Sequence, residues 1–370
     1  MDMSFYMPTD VRTGRGCLLA GGDALARLGT RCLVVTGKTS ARASGALSDL
    51  ATVLSGAGID YEVFDGIGQN PTYAACLAAA EVAKEIGAEF IVGIGGGSPL
   101  DAAKAVAVLA ACRDTSAEAL FSCKWDAAPL PIAAIGTTAG TGSEVTPVAV
   151  ITTPAGRKTS IRANTLYPTV TFGDAAYTAS LSPAFTRSTA LDALAHCLES
   201  YFNRTANDIS RTYAARAVAI LAEMLEKTAV CDATPLTADE REALYIASLY
   251  AGLAISVTGT AFPHALGYFL SEEHGIPHGN ACAVYLEAFI HHNEEVAPSE
   301  TAALSRAAGI TPAGLCALVR ANLPALAVAL TKEDVAALAP RFENNKSLKK
   351  CLGAVDGAFA EALLRRMFVK

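Results

Sequence analysis

Four short apolar runs in the first half of the chain constrain its fold most, because the first three each lead into a segment of helical periodicity. RCLVVTG (31–37), YEVFDGI (61–67), EFIVGIGGG (89–97) and PIAAIGTT (131–138) read as strands. GALSDLATVLSGAG, TYAACLAAAEVAKEIG and PLDAAKAVAVLAAC read as the helices between them. A strand that is apolar at successive positions is buried on both faces, and strands separated by helices pair in parallel. Residues 1–180 are therefore expected to form an α/β domain around a parallel sheet. Beyond Pro183 the pattern changes to long amphipathic or wholly apolar helices, so residues 181–370 are expected to form an all-α domain. The stretch from Ala243 to Phe262 has membrane-spanning length. It carries Ser248, Gly252, Ser256, Thr258 and Gly259, and no basic anchors follow, so a buried bundle helix is expected.

Charge and cysteine usage narrow the function class. The net charge is −7 and the lysines and arginines are scattered, which argues against nucleic acid or an anionic membrane as partner. Ten cysteines are dispersed from Cys17 to Cys351 with no C-x-x-C pair, and the start, MDMSFYMPTD, carries no signal-peptide pattern. Reduced cysteines in a cytoplasmic protein are expected.

The third strand runs into Ile94-Gly95-Gly96-Gly97-Ser98-Pro99-Leu100-Asp101. Glycines let a backbone turn sharply and approach a ligand closely, and a helix N-terminus behind them favours a phosphate. Ser98 is expected to cap that helix, with Pro99 in its first position and Asp101 completing a capping box. A second polar loop, Gly136-Thr137-Thr138-Ala139-Gly140-Thr141-Gly142-Ser143-Glu144, follows the next strand. Both loops fall at carboxyl ends of strands, where α/β sheets bind ligands. The pattern is not the usual G-x-G-x-x-G.

Only six histidines occur, all from His196 onward. Asp192 and His196 are four apart in TALDALAHCLESYF, which puts both on one helix face. His264 and His278 lie fourteen apart in GTAFPHALGYFLSEEHGIPHGNACAV. A lone Asp-x-x-x-His pair is commonly a surface hydrogen bond. The apolar neighbours of His196 and His264 would bury them, however, and a buried imidazole needs a partner. Shared coordination is the more economical account, and one carboxylate with three imidazoles suits Fe(II) or Zn(II).

Together, FYMPTDVRTGRG, VFDGIGQNPT, GGGSPLDAAKA, TTAGTGSEVT, LDALAHCLESY and the histidine segment resemble the iron-containing (group III) alcohol dehydrogenases over nearly the whole chain. The resemblance implies a dehydroquinate-synthase-like α/β domain that binds a nicotinamide cofactor, and a helical domain that holds a divalent metal. The family's ligands map onto Asp192, His196, His264 and His278. Its pyrophosphate contacts map onto Gly95, Gly96, Gly97 and Ser98, with Asp101 near the nicotinamide. Thr137, Thr138, Thr141 and Ser143 match the second cofactor loop and Lys158 a lysine near the ribose. Asn70 and Thr178 complete the set. A homodimer, formed through a strand near the N-terminus, is also implied.

Two positions depart from the family. NAD-dependent members often carry an aspartate after the first strand, where this chain has Gly37, followed by Lys38, Thr39, Ser40 and Arg42. Loss of a carboxylate beside cations and hydroxyls favours a 2′-phosphate, so NADP(H) is expected over NAD(H). Four residues after His264, where many relatives have a further histidine, stands Tyr268; His274 lies four before His278. Either is a candidate proton relay, while His291 and His292 read as surface residues. Phe262, Leu266, Tyr268 and Phe269 suggest a partly apolar substrate pocket.

The expected chemistry is reversible reduction of a small aldehyde or ketone to the alcohol. The alternatives are a glycerol-dehydrogenase-like enzyme and a dehydroquinate-synthase-like lyase on the same fold. The lyase needs several basic residues around its substrate, and the segments around His196, His264 and His278 contain no lysine.

Overall fold

The computed structural model describes residues 3–369, in two compact units. One comprises Tyr6–Leu181 and Thr237–Tyr245; the other takes the remaining described residues. The chain leaves the first unit after Leu181 and returns to it for Thr237 and the first eight residues of the Ala238–Thr258 helix. Tertiary bonds explain the return: the Tyr245 hydroxyl donates to Glu144 (2.9 Å) and Arg241 to the Thr178 carbonyl (2.8 Å). Neither partner lies near in sequence.

The first unit is built on a six-stranded sheet of β1 (Asp10–Thr13), β2 (Arg31–Thr36), β3 (Asp60–Phe64), β4 (Phe90–Gly95), β5 (Ile132–Gly136) and β8 (Val170–Gly173). Its order is β1-β8-β5-β4-β2-β3 and every pairing is parallel. Between β5 and β8 the chain makes an antiparallel hairpin of β6 (Val148–Thr152) and β7 (Lys158–Arg162). Cys32, Val34, Phe90 and Val92 point into one core, whereas Leu33, Val35 and Ile91 point into another on the opposite face. That is why these strands are apolar at every position. The helices Ala46–Ala57, Tyr73–Glu85 and Gly97–Ala111 form where their periodicity places them, each at or within two residues of the expected start. β2 has β3 on one side and β4 on the other, so the sheet reverses direction there. Gly37 and Gly95 lie at the carboxyl ends of β2 and β4, on either side of this switch.

The second unit is helical. Ser182 caps the Pro183–Tyr201 helix by accepting from Phe185 N–H, and Pro183 fills its first turn. From Ala190 to Tyr201 this helix is buried throughout. Asn207 and Ser210 form a capping box at the start of Asp208–Ala229. The apolar stretch at 243–262 ends its helix at Thr258 and turns by 109° into Phe262–Glu273. Among the described residues no single helix is long and apolar enough to cross a membrane.

Candidate active site

The metal half of the site grows from the Pro183–Tyr201 helix. Asp192, His196 and Glu199 are spaced four and three apart, so they share one face, and all three are buried. Glu199 then docks the next element. Its carboxylate accepts the backbone N–H groups of Ala261 (2.9 Å) and His264 (3.0 Å), which fixes the positive end of the Phe262–Glu273 helix against it. It also holds His264 Nδ1. His278 opens the short His278–Ala283 helix, which can lie close only because residue 279 is glycine: a Cβ there would sit 1.8 Å from the Ser188 carbonyl oxygen.

Donor atoms of Asp192, His264, His278 and Cys282 all lie within 4.8 Å of one another. Asp192 Oδ1 is 3.5 Å from His264 Nε2 and 3.9 Å from His278 Nε2. Asp192 Oδ1 and His264 Nε2 are both buried with no hydrogen-bond partner. Burial lowers the His264 ring, but Cys282, Glu199 and Asp192 around it outweigh burial and raise it well above its usual range, so this buried pocket calls for positive charge. A cation between Asp192 Oδ1 and His264 Nε2 supplies that charge, and the residues present fit a divalent metal. Burial pushes the Asp192 carboxyl up, but His196, His278 and His264 beside it outweigh burial and hold it below the usual carboxylate range. Burial likewise pushes the Cys282 thiol up to about 11, against the pull of His264.

His196 lies beside Asp192, where it is the largest of the charges that lower the carboxyl. Its ring also stacks on His264, with centroids 4.5 Å apart and planes 22° off parallel. Tyr268 stacks on His278 at 5.9 Å and 10°. His274 is not brought to the donors: it ends the Phe262–Glu273 helix in an exposed position, with its ring against Phe269. The expected apolar pocket is corrected as well. Phe262, Leu266 and Phe269 are fully buried, with Phe262 packed on Phe289 and Phe269 on Phe368, so they belong to the core. His291 is exposed, but His292 is half-buried against Phe262 and Phe359, because its Nε2 bonds the Leu352 carbonyl (2.9 Å).

The cofactor half lies in the first unit. Gly95 has φ +151°, and the helix begins at Gly97, with Gly96 flanking it and no side-chain cap. Ser98 is therefore not the cap; the turn of the glycines starts the helix earlier than Ser98. This leaves the first N–H groups without side-chain partners, as an anion site requires. A Cβ on Gly97 would lie 2.8 Å from Thr141 Cγ2, and one on Gly96 2.9 Å from Thr138 Cγ2, so these glycines let the second loop pack directly against the start of the helix. Thr137 Oγ1 is buried without a partner in the second loop. These residues fit a dinucleotide.

Asp101 does not act as a cap either. Its oxygens accept Ser143 Oγ–H (2.7 Å) and Val150 N–H (2.8 Å), tying the glycine-loop helix to the second loop and to β6. Lys104 reinforces the tie. Its buried ammonium donates to Ser143 O, Ser143 Oγ, Thr146 Oγ1 and Val148 O. Burial lowers it to about 8, with Asp101 and Glu144 pulling the other way. Lys158 is half-buried at the start of β7 and close enough to Asp101 to lower its carboxyl, although burial raises it more. Asn70 adopts a left-handed turn (φ +55°) just before the Tyr73–Glu85 helix. Thr178 is buried, with its hydroxyl donating to the Ala175 carbonyl (2.7 Å). Gly37 is half-buried after β2, and Lys38 and Thr39 beside it are exposed. Arg42 is also exposed and faces Asp65 at 3.9 Å.

Sequence reasoning missed Glu199, Cys282 and Lys104 as parts of these sites. A signal existed for the first two. Glu199 lies seven residues after Asp192, and Cys282 four after His278, both same-face spacings on a helix.

Comparison with known proteins agrees with this geometry. Residues 8–175 match the iron-containing alcohol dehydrogenase family, and residues 186–350 match the C-terminal part of the Fe-containing alcohol dehydrogenases. The 1,3-propanediol dehydrogenase of Citrobacter freundii is 32% identical over 90% of this chain and 84% of its own length. Among solved structures, an iron-containing alcohol dehydrogenase from Thermotoga maritima superposes with a TM-score of 0.90 at 35% identity, covering 99% of each chain. A sulfoacetaldehyde reductase from Bifidobacterium kashiwanohense, solved with NAD+, gives 0.86 at 27% identity, again over 99% of each chain. From the donors gathered in its helical unit, the uncapped glycine loop of its sheet unit and these matches along nearly its whole length, the chain belongs to the iron-containing alcohol dehydrogenase family.

Proposed function

We propose that the protein reversibly reduces short-chain aldehydes to primary alcohols with a nicotinamide cofactor, and prefers NADP(H). Family membership carries the coarser statement, a metal-dependent, nicotinamide-linked alcohol dehydrogenase or aldehyde reductase. The observation that carries the chemistry is the pair of buried atoms without hydrogen-bond partners, Asp192 Oδ1 and His264 Nε2, beside His278. Bound there, Fe(II) or Zn(II) supplies a Lewis acid for the carbonyl oxygen, and the nicotinamide supplies the hydride.

The chain's own residues do the rest. Asp192, His196, His264 and His278 would hold the ion, with the His196 ring stacked on that of His264. Glu199 orients the His264 ring by bonding Nδ1, which turns Nε2 towards Asp192 and would leave it to the ion. Gly95, Gly96, Gly97 and Ser98 present N–H groups to the pyrophosphate, and Asp101 with Lys104 fixes the second loop beside them. Of the two relay candidates, Tyr268 is favoured because its ring touches a ligand histidine, whereas His274 does not. Gly37 in place of a carboxylate, with Lys38 and Thr39 exposed beside it, supports a 2′-phosphate; Asp65 next to Arg42 opposes it. β1 is the terminal strand of the sheet, which suits pairing with a second copy. A reducing, cytoplasmic setting fits ten unpaired cysteines.

The test is anaerobic: metal content, and oxidation of NADPH and NADH over a panel of aldehydes, before and after chelation. Aldehyde-dependent, chelator-sensitive oxidation supports the reading. A lyase would leave no net oxidation of coenzyme.

A further inference from the structure

A second cluster of metal-ligating side chains lies in the helical unit, away from the residues around Asp192. On the Leu286–Val296 helix, Glu287 and His291 stand four apart and so share a face. Cys316 meets them from the Pro312–Asn322 helix, which packs against the first. Donor atoms of these three residues all lie within 4.8 Å of one another, with Cys316 buried, Glu287 half-buried and His291 exposed. Glu294 holds His291 Nδ1 at 2.9 Å, as a carboxylate does when it orients a ligand histidine. Arg320 occupies Glu287 Oε2 at 2.5 Å, and the same carboxylate has a second oxygen. The charge around the thiol is unbalanced. Burial raises Cys316, Glu287 and Glu294 raise it further, and Arg320 pulls the other way. Two carboxylates face one guanidinium there, which favours a further cation. A cleft of about 470 Å³, lined by Glu287, His291 and Glu295 among others, opens the cluster to solution.

We propose that Glu287, His291 and Cys316 form a second metal site, which takes up a borderline divalent cation such as Zn(II) and clips the two helices together. The site shares no residue with the donors around Asp192 and does not depend on what they hold. Its donors are one oxygen, one nitrogen and one sulfur. Carboxylate and imidazole alone accept many divalent ions, whereas a thiolate is soft and narrows the choice towards zinc. The thiol binds as thiolate: the S–H bond breaks as the metal–sulfur bond forms, and the proton passes to water. The doubly charged ion then answers the thiolate together with Glu287 and Glu294. Three protein donors leave a fourth, tetrahedral position to water. With His291 exposed, the ion exchanges with solution and is not locked into the fold.

The experiment uses the full-length protein with its thiols kept reduced, beside His291→Ala and Cys316→Ser. Each is dialysed to equilibrium against buffered free Zn(II), and its metal content is counted. The unsubstituted protein is expected to hold about one more zinc per chain than either variant. Loaded with Co(II) instead, it should show a sulfur-to-metal charge-transfer band in the near ultraviolet that weakens in both variants. Aldehyde reduction should be the same in all three, because neither residue belongs to the active site. His291 is exposed, so His291→Ala should fold even if the buried Cys316→Ser does not, and its zinc count and cobalt band then decide alone. Equal metal content in all the proteins overturns the inference and leaves the dehydrogenase reading standing. Loss of zinc in Cys316→Ser alone also overturns it, since the thiol would then bind without His291. Loss of turnover together with the zinc in His291→Ala overturns it as well, because the ion counted would be the catalytic one.

Discussion

Glu199 and His264 are joined twice: the Glu199 carboxylate accepts the His264 backbone N–H at 3.0 Å and also holds Nδ1 of the same residue's ring. One buried side chain therefore sets both where His264 stands and which ring nitrogen is free. The other nitrogen, Nε2, faces Asp192.

Glu199→Gln tests that relationship. The amide is nearly isosteric and its oxygen can still accept from the two backbone N–H groups, but its NH2 then faces Nδ1 and cannot accept from it. Metal affinity is expected to fall about 10- to 100-fold, as for other residues that orient a ligand histidine. Competition with a chelator of known affinity checks this, with circular dichroism showing the fold intact. Unchanged affinity would mean that Glu199 only docks the helix.

The glycine loop makes a separate prediction. Gly97→Ala places a Cβ 2.8 Å from Thr141 Cγ2, which must push the second loop away from the helix start that would take the pyrophosphate. Dinucleotide affinity should fall roughly tenfold or more, which is about 1.4 kcal/mol. Metal content should stay the same, because the ligands sit in the other unit. Fluorescence titration with NADPH and metal analysis of the same sample separate the two effects.

Coenzyme preference is best read on the unsubstituted protein. A Cβ at Gly37 would lie 3.2 Å from the Ile67 carbonyl oxygen, so Gly37→Asp confounds crowding with charge. The account expects a higher kcat/KM for NADPH than for NADH, and Lys38→Ala should narrow the ratio. A clear NADH preference would remove the 2′-phosphate assignment and leave the reaction unaffected.

Stability should fall on the alkaline side. Burial pushes the thiols of Cys32 and Cys76 up to about 12, from an ordinary 9.0. Their folded values are raised, so the stabilisation is fully present below pH 9.0 and is lost as pH rises towards 12. In that window the unfolded chain releases protons that the folded chain keeps. Each thiol contributes a slope of about 1.4 kcal/mol per pH unit. Urea midpoints measured below and above this onset should show Cys32→Ala losing less stability with pH than the unsubstituted protein. Parallel pH dependences would contradict the assignment.

Particular residues show how much of this was legible in the sequence. β2, β4 and β5 are apolar at nearly every position because both faces are covered, and that pattern is visible in RCLVVT, FIVGIG and IAAIG. β1 and β8 are only four residues long and β7 is largely polar, so no period had room to declare itself. The return of residues 237–245 to the first unit depends on Tyr245 meeting Glu144, a contact between segments 101 residues apart. At the site, residue types and spacings pointed to Asp192, His196, His264 and His278, but not to Glu199, which holds His264 from behind. Nor could they show that Asp101 turns inwards to Ser143 instead of capping its own helix, because the start of that helix is set by Gly95 and its neighbours.

The central claim is that the imidazole of His264 helps hold a divalent ion on which turnover depends. The most direct measurement is metal content and aldehyde-dependent NAD(P)H oxidation on His264→Ala beside the unsubstituted protein, prepared anaerobically. The account predicts that the variant loses its metal and nearly all turnover while binding dinucleotide as before. Full turnover in a His264→Ala protein shown to be free of metal would contradict it.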